Sequence, residues 1–217
     1  MNQIMKMNKI LVDNEICELK DFNGKLEFKN NSKVVIDGNC KVYVNKNIND
    51  LEFILNDNAN LDIVFFDSDK CSDTKLIFNQ NNSSYLKIKD LFESSSTIKH
   101  EVYINVNGNN SFADLNISCV SSKNSINIIE QINVNKESRN NEATERVKGL
   151  VDGGNIEVLP NMCISTNDIV ANHFVTISSY DTDSLFYLQS KGLTEEKAKN
   201  LIKKSYLYNE YRGDEYE

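Results

Sequence analysis

The chain has 217 residues, of which 24 are basic and 32 acidic, so its formal net charge at pH 7 is −8. This balance argues against a protein that grips nucleic-acid phosphates, because that binding depends on dense Lys and Arg. A hydrophobic fraction of 40% predicts one folded domain with at most a small appendage.

The N-terminus and the cysteines predict a cytoplasmic protein without a membrane partner. The first twenty residues lack the apolar centre of a signal peptide, and no run approaches the roughly 20 apolar residues that span a bilayer. The five cysteines show neither Cys-x-x-Cys spacing nor a histidine at zinc-ligand distance, which fits reduced thiols. They are Cys17, Cys40, Cys71, Cys119 and Cys163.

Short apolar or alternating runs fill the chain from residue 24 to about residue 160, and clusters of Asn, Asp, Gly and Ser separate them. Runs of this length, rich in Val, Ile, Phe and Tyr and bounded by turn formers, predict β-strands. The runs cover residues 25–28, 33–36, 41–44, 51–55, 61–66, 75–78, 85–88, 100–106, 112–117 and 125–132.

This strand spacing is compatible with a sandwich, a barrel or a β-solenoid. The solenoid is favoured because the strands are short, the hairpin dipeptides Asn-Gly and Asp-Gly are few, and 33 asparagines are available for bonds from coil to coil. In a solenoid, inward residues stack in columns. We expect the inward set to include Val35, Val42, Phe53, Ile63 and Ile77.

Two helices are predicted after residue 180. The segment Asp181-Thr182-Asp183-Ser184 offers N-cap side chains and first-turn acids for the first helix, and Gly192 is suited to end it. Thr194 caps the second, which carries an apolar stripe at helical spacing. The stripe consists of Ala198, Leu201, Ile202 and Tyr206. We therefore divide the chain into a β core, residues 1–180, and a helical segment, residues 181–217.

Few residues suggest catalysis. The chain has two histidines, His100 and His173, and neither a glycine-rich phosphate loop nor a Gly-x-Ser-x-Gly elbow. His100 lies within an alternating strand, where we expect an ordinary surface or half-buried histidine.

The surroundings of His173 resemble the C-terminal part of the SufB/SufD family, scaffold proteins of iron–sulfur cluster assembly. The resemblance runs without a gap from Pro160 to the string Phe186-Tyr187-Leu188 and covers roughly a fifth of the chain. His173 falls on the family histidine. Other positions that match are Met162, Ile164, residues 167–169, Thr176 and residues 189–193.

The resemblance implies an all-β, right-handed parallel β-helix with a C-terminal helical pair, in a short SufD-like member. It implies a non-catalytic scaffold that docks a SufC-type ABC ATPase and pairs with a SufB-like subunit or a second copy of itself. A transient iron–sulfur cluster would form at that subunit interface, with His173 and Cys163 as candidate metal ligands. The expected ATPase-binding residues are Leu185, Phe186, Tyr187, Leu188, Leu201 and Tyr206.

The chain departs from the family pattern at its ligand positions. Ala171 replaces a SufD cysteine, and Gly154 stands where SufB carries a cysteine. Phe174 replaces the residue after the histidine, which is a glycine in SufD and a glutamate in SufB. Cys163 places a thiol where the family has a glutamate. Since thiolates are the usual iron–sulfur ligands, most of the expected coordination chemistry is lost.

An alternative is a secreted or surface carbohydrate-active or adhesive β-helix. That class needs secretion together with an acid cluster or an aromatic groove, and this sequence has no Trp. The scaffold is the preferred hypothesis.

Overall fold

A computed structural model describes residues 8–13, 15–46, 50–67 and 72–208; residues 209–217 of the predicted helical segment lie outside this range. The described chain forms strands followed by two helices. The elements are β1 (Asn8–Val12), β2 (Ile16–Lys20), β3 (Asn23–Phe28), β4 (Ser32–Asp37), β5 (Asn39–Lys46), β6 (Asp50–Leu55), β7 (Asn60–Asp67), β8 (Thr74–Gln80), β9 (Tyr85–Ser94), β10 (Ile98–Val106), β11 (Phe112–Ser121), β12 (Ser125–Val134), β13 (Asn141–Val151), β14 (Asn155–Ile164), β15 (Ile169–Ser179), α1 (Thr182–Ser190) and α2 (Glu195–Tyr208).

The strands alternate between two sheets, so that consecutive strands never pair. Odd-numbered strands form an eight-stranded sheet in chain order, and even-numbered strands form a seven-stranded sheet. Every pairing within the described residues is parallel. The predicted parallel β-helix is confirmed, and the sandwich and barrel alternatives are excluded because both would need antiparallel neighbours.

The coils widen toward the C-terminus. Asn8 of β1 pairs with Gly24 of β3, a repeat of 16 residues, whereas Phe112 of β11 pairs with Glu142 of β13, a repeat of 30 residues. The strands also lengthen along the chain, from 5 residues in β1 to 11 in β13. The interior is therefore broadest near the C-terminal end.

Inward side chains stack into an apolar core, as expected for a solenoid. Phe53 and Phe78, on neighbouring coils, stack with ring centroids 5.0 Å apart, and Phe65 from the facing sheet meets both rings edge-on. Val42, Phe53 and Ile63 are fully buried, as predicted.

The prediction was wrong for Val35 and Ile77. Both are half-buried on the outer face, while their neighbours Val34 and Phe78 are buried in the core. Each of these strands carries apolar residues at both parities, but Lys33 and Asp37 share the side of Val35, and Lys75 and Asn79 share the side of Ile77, which faces outward.

Asparagine side chains link successive coils. On the outer face of the seven-stranded sheet, Asn105 Nδ2 donates to Asn79 Oδ1, and Asn133 Nδ2 donates to Asn105 Oδ1, both at 2.8 Å. In the turns, Asn140 Nδ2 donates to Asn110 Oδ1 at 2.8 Å, and both residues adopt the left-handed conformation that Asn tolerates. The expected coil-to-coil bonding is confirmed at these positions.

Both helices begin where the sequence signals predict, and α1 also ends where they predict. The Asp181 carboxylate accepts a hydrogen bond from the Ser184 amide at 2.9 Å, and Gly192, with φ of +92°, follows α1. Thr194 Oγ1 accepts from the Lys197 amide at the start of α2. These capping interactions satisfy backbone groups at the helix ends.

Candidate functional site at the C-terminal end

The solenoid ends in an open coil formed by β14 and β15, which we call the open end. Each is the last strand of its sheet, so one edge of each has no strand partner in the described chain. Val175 on the inner face of β15 is 39% exposed, whereas Val147, its register partner one coil below, is 1% exposed. An apolar inner face with free strand edges is a template for another chain.

His173 lies on the inner face of the open end. It is in register with Glu145 of β13, which points into the interior, and its neighbours on that face of β15 are Ala171 and Val175. The side chain is exposed because no further coil covers it. The alternation of β15 therefore aims the imidazole toward whatever covers the open end.

Cys163 lies on the opposite face. It is in register with Asn133, an outward residue of β12, and its thiol is exposed, 3.8 Å from Asn161 Oδ1. The two candidate ligands thus occupy different strands and opposite faces. The fold does not bring them together.

Ala171, Phe174 and Gly154, which depart from the family pattern, lie in three different environments. Ala171 lies on the inner face of β15, and Phe174 lies on the outer face with its ring 5.6 Å from the Arg146 guanidinium. A Cβ atom at Gly154 would lie 2.0 Å from Ser121 Oγ and 2.4 Å from the Asn124 carbonyl oxygen. No cysteine fits at residue 154 without moving that turn.

Within the described residues, no group of three or more His, Cys, Asp or Glu side chains is arranged to hold a metal ion. A protein-bound iron–sulfur cluster usually needs several thiolates on one site. The open end offers one imidazole on its inner face, so this chain does not assemble a complete cluster site from its described residues.

A pair of buried acids lies one coil below the open end, and sequence reasoning missed it. Glu130 of β12 and Glu145 of β13 are at most 1% exposed, and no described residue forms a hydrogen bond with any of their four carboxylate oxygens. Burial and the neighbouring Glu145 raise the pKa of Glu130 to about 8, and burial raises the pKa of Glu145 to about 7. We call these two residues the acid pair.

A second interior pair corrects the expectation for His100. The residue is 1% exposed, and its Nε2 lies 3.0 Å from Oδ2 of the fully buried Asp90. Its ring also lies against Phe92, with centroids 4.9 Å apart. His100 is therefore an interior residue with a carboxylate partner, because the even-numbered residues of β10 face the interior.

The predicted ATPase-binding residues divide into two groups. Phe186, Tyr187 and Leu201 are 74%, 59% and 50% exposed, and we call them the helical face. Leu185 and Leu188 are half-buried.

Tyr206 is half-buried, like Leu185 and Leu188. It packs with Leu207 against Val120 and Leu150 on the outer side of the solenoid, and its hydroxyl donates to the Gly149 carbonyl at 3.1 Å. Its main contacts are thus within the chain. The three side chains of the helical face are 50% or more exposed among the described residues, and Lys191 Nζ lies 5.3 Å from the centre of the Tyr187 ring.

The fold and these exposed surfaces define a parallel β-solenoid protein with a C-terminal helical pair. The family model described as SUF system FeS cluster assembly, SufBD core domain, matches residues 47–206. The chain belongs to the SufBD family, as the motif around His173 predicts. Neither described helix is long and apolar enough to cross a membrane.

Curated relatives agree with this assignment over a shorter stretch. Iron–sulfur cluster assembly SufBD family proteins of Mycobacterium bovis, Mycobacterium tuberculosis and Mycobacterium leprae are each 36% identical to this chain over 59 residues. The match covers 27% of this chain and 15% of each relative. The chain is thus similar to a small part of those longer proteins.

Proposed function

We propose that this chain is a non-catalytic, SufD-like scaffold subunit of iron–sulfur cluster assembly that docks a SufC-type ATPase through its C-terminal helices. The observation that carries the proposal is the helical face, where Phe186, Tyr187 and Leu201 expose apolar surface on two packed helices. Exposed aromatic and aliphatic side chains on a rigid element are typical anchors of a protein interface. Family membership supplies the cellular process.

A second subunit, either SufB-like or another copy of this chain, would cover the open end. This part of the proposal is supported by the free edges of β14 and β15 and by the exposed inner residues Val175 and Ile177. A second β-helix placed there would continue both sheets and bury those side chains. His173 would then face the interface.

The cluster is the cargo of this assembly and would be held in part by the other subunit. His173 supplies an imidazole on the inner face, and the partner would bring the thiolates that Ala171 and Gly154 do not provide. On this hypothesis Cys163, on the outer face, has no part in the same site.

Co-expression with the SUF-system ATPase of the same organism tests the docking proposal. Phe186→Asp should abolish co-purification of the ATPase while leaving the Tm nearly unchanged, because the side chain is 74% exposed. Ile177→Asp, at the open end, is the matched control and should retain the ATPase.

The same pair of variants separates the two surfaces. With a SufB-like subunit present, Ile177→Asp should lose that subunit and Phe186→Asp should keep it. Equal ATPase binding by Phe186→Asp and the unchanged protein would remove the docking proposal. The carbohydrate-active alternative has no observation in its favour after the family assignment.

A further inference from the structure

The side chain of Lys203 connects α2 to the solenoid. Its Nζ lies 2.7 Å from Glu93 Oε1, 2.6 Å from Asp152 Oδ2 and 3.0 Å from Ser122 Oγ, and the side chain is only 12% exposed. Ser122 Oγ also donates to Glu93 Oε1. We call these four residues the Lys203 clip.

The three acceptors belong to three successive coils. Glu93 lies at the end of β9, Ser122 follows β11, and Asp152 follows β13, and these strands are neighbours in the eight-stranded sheet. One ammonium group therefore ties α2 to the C-terminal ends of three adjacent strands. An ordinary surface ion pair has one acceptor and contributes little, whereas this group is nearly buried among three.

The electrostatics favour a permanently charged Lys203. Burial acts to lower the pKa of the ammonium group, but hydrogen bonds to Asp152 and Glu93 outweigh it, and the net result is a raised pKa. The clip therefore persists as a charged contact across the neutral pH range.

The helical face depends on α2 for its position. No residue of α1 is buried, and α1 packs against α2, which buries Ala198 and Leu207. The other contacts of α2 with the solenoid lie in the second half of the helix, where Ile202, Tyr206 and Leu207 pack and the Tyr206 hydroxyl donates to the Gly149 carbonyl. These contacts reach β11, β13 and the residue after β15. The Lys203 clip adds a contact with Glu93 at the end of β9, one coil further from the open end, and so extends the attachment of α2 in the direction that sets the orientation of the helix.

We propose that Lys203 is a positioning residue whose clip fixes the orientation of the helical pair, and with it the helical face, relative to the last coils of the solenoid. Its importance for ATPase docking rests on the function proposed above. The orientation itself is a property of this chain and is testable without any partner.

The test compares three variants of the full chain. Lys203→Met removes the charge and keeps an aliphatic stem, Lys203→Arg keeps the charge, and Lys204→Met changes the exposed neighbouring residue as the control. Amide hydrogen exchange reports the order of α1 and α2, the Tm reports the solenoid, and titration with the SUF-system ATPase reports docking.

We expect Lys203→Met to speed exchange in both helices and to weaken ATPase binding by about tenfold or more, with unchanged exchange in β9, β11 and β13. Lys203→Arg and Lys204→Met should behave like the unchanged protein. Unaltered exchange in the helices of Lys203→Met would overturn the positioning role. So would a collapse of the solenoid itself, which would assign Lys203 to overall stability.

Docking and positioning fail in different ways. If the unchanged protein does not bind the ATPase, the proposed function is wrong, and the exchange measurement alone decides the role of Lys203. If the unchanged protein binds and Lys203→Met binds equally well despite mobile helices, docking does not depend on the clip.

Discussion

Glu130 and Glu145 lie on facing sheets inside the solenoid, close enough for the charge of Glu145 to raise the pKa of Glu130. Within the part of the chain that the structure describes, neither carboxylate has a hydrogen-bond partner, and both are essentially inaccessible to water. An unpaired buried polar group costs about 1–3 kcal/mol, and a buried charge costs more. The acid pair therefore makes the stability of the widest coils depend on pH.

We predict that Glu130→Gln stabilises the protein at neutral and alkaline pH and has little effect near pH 5. The folded-state pKa of about 8 lies above the ordinary value of 4.5, so the folded protein holds a proton that the unfolded chain has released. The penalty is absent below about pH 4.5, grows as the pH rises toward about 8, and stays constant beyond. Its full size is on the order of 5 kcal/mol.

Denaturant unfolding at several pH values measures this effect. Glu142→Gln is the control, because Glu142 is an exposed residue on the same strand as Glu145. The Glu130→Gln and Glu145→Gln double variant should gain less than the sum of the single variants at alkaline pH, since each removes the same repulsion. A gain that is independent of pH would contradict the proposed ionisation.

Substitutions in the Asp90–His100 pair should destabilise the protein, in contrast to Glu130→Gln. The two groups are buried and 3.0 Å apart, so removing one leaves the other without its partner in the core. We expect Asp90→Asn and His100→Gln each to lower the free energy of unfolding by about 3 kcal/mol. A double-mutant cycle should show a double variant that is less destabilised than the sum, and strict additivity would argue against a direct interaction.

The asparagine ladder gives a third prediction. Asn105 is the central member, since its side chain donates a hydrogen bond to Asn79 and accepts one from Asn133. Asn105→Ala leaves an acceptor on one neighbour and a donor on the other unpaired, at a cost of about 1–2 kcal/mol. Asn127→Ala, on the same face of β12 but outside the ladder, is the control for thermal unfolding. Equal shifts in the Tm of both variants would show that the ladder does not contribute.

Much of the fold was predictable because its signals are local. The start of each helix is indicated by a capping side chain, from Asp181 or Thr194, and the end of α1 by the backbone conformation of Gly192. Each of these signals depends on neighbouring residues in the sequence and not on distant coils. The inward parity of β4 and β8 was missed, although the sequence contains a signal for it. Lys33 and Asp37 share the parity of Val35, and Lys75 and Asn79 share the parity of Ile77, so charged and polar neighbours mark both residues as outward.

The acid pair was missed although the sequence contains a signal for it. Ile128, Glu130 and Ile132 share one parity of a strand whose apolar residues, apart from Ile129, all lie on that side. A charged residue in the middle of an apolar parity indicates a buried charge, whereas sequence reasoning treated the run simply as a strand. The clip around Lys203 had no such signal, because Glu93, Ser122 and Asp152 are brought together only by the stacking of coils.

The last prediction distinguishes His173 from Cys163. Both side chains are exposed, so His173→Ala and Cys163→Ser should each change the free energy of unfolding by less than about 0.5 kcal/mol. On the proposed function, the imidazole faces the second subunit and the thiol does not. Anaerobic addition of iron and sulfide to the co-purified assembly, followed by visible absorbance, should therefore give less cluster with His173→Ala and an unchanged yield with Cys163→Ser.

Two results would contradict the roles proposed for His173 and Cys163. A lower yield with Cys163→Ser alone would place the cluster on the outer face of β14, away from the open end. A marked loss of stability in isolated His173→Ala, with normal cluster yield, would make His173 a structural residue. The opposite faces of His173 and Cys163 allow this experiment to separate them, because no single cluster on the inner face reaches a thiol that points outward from β14.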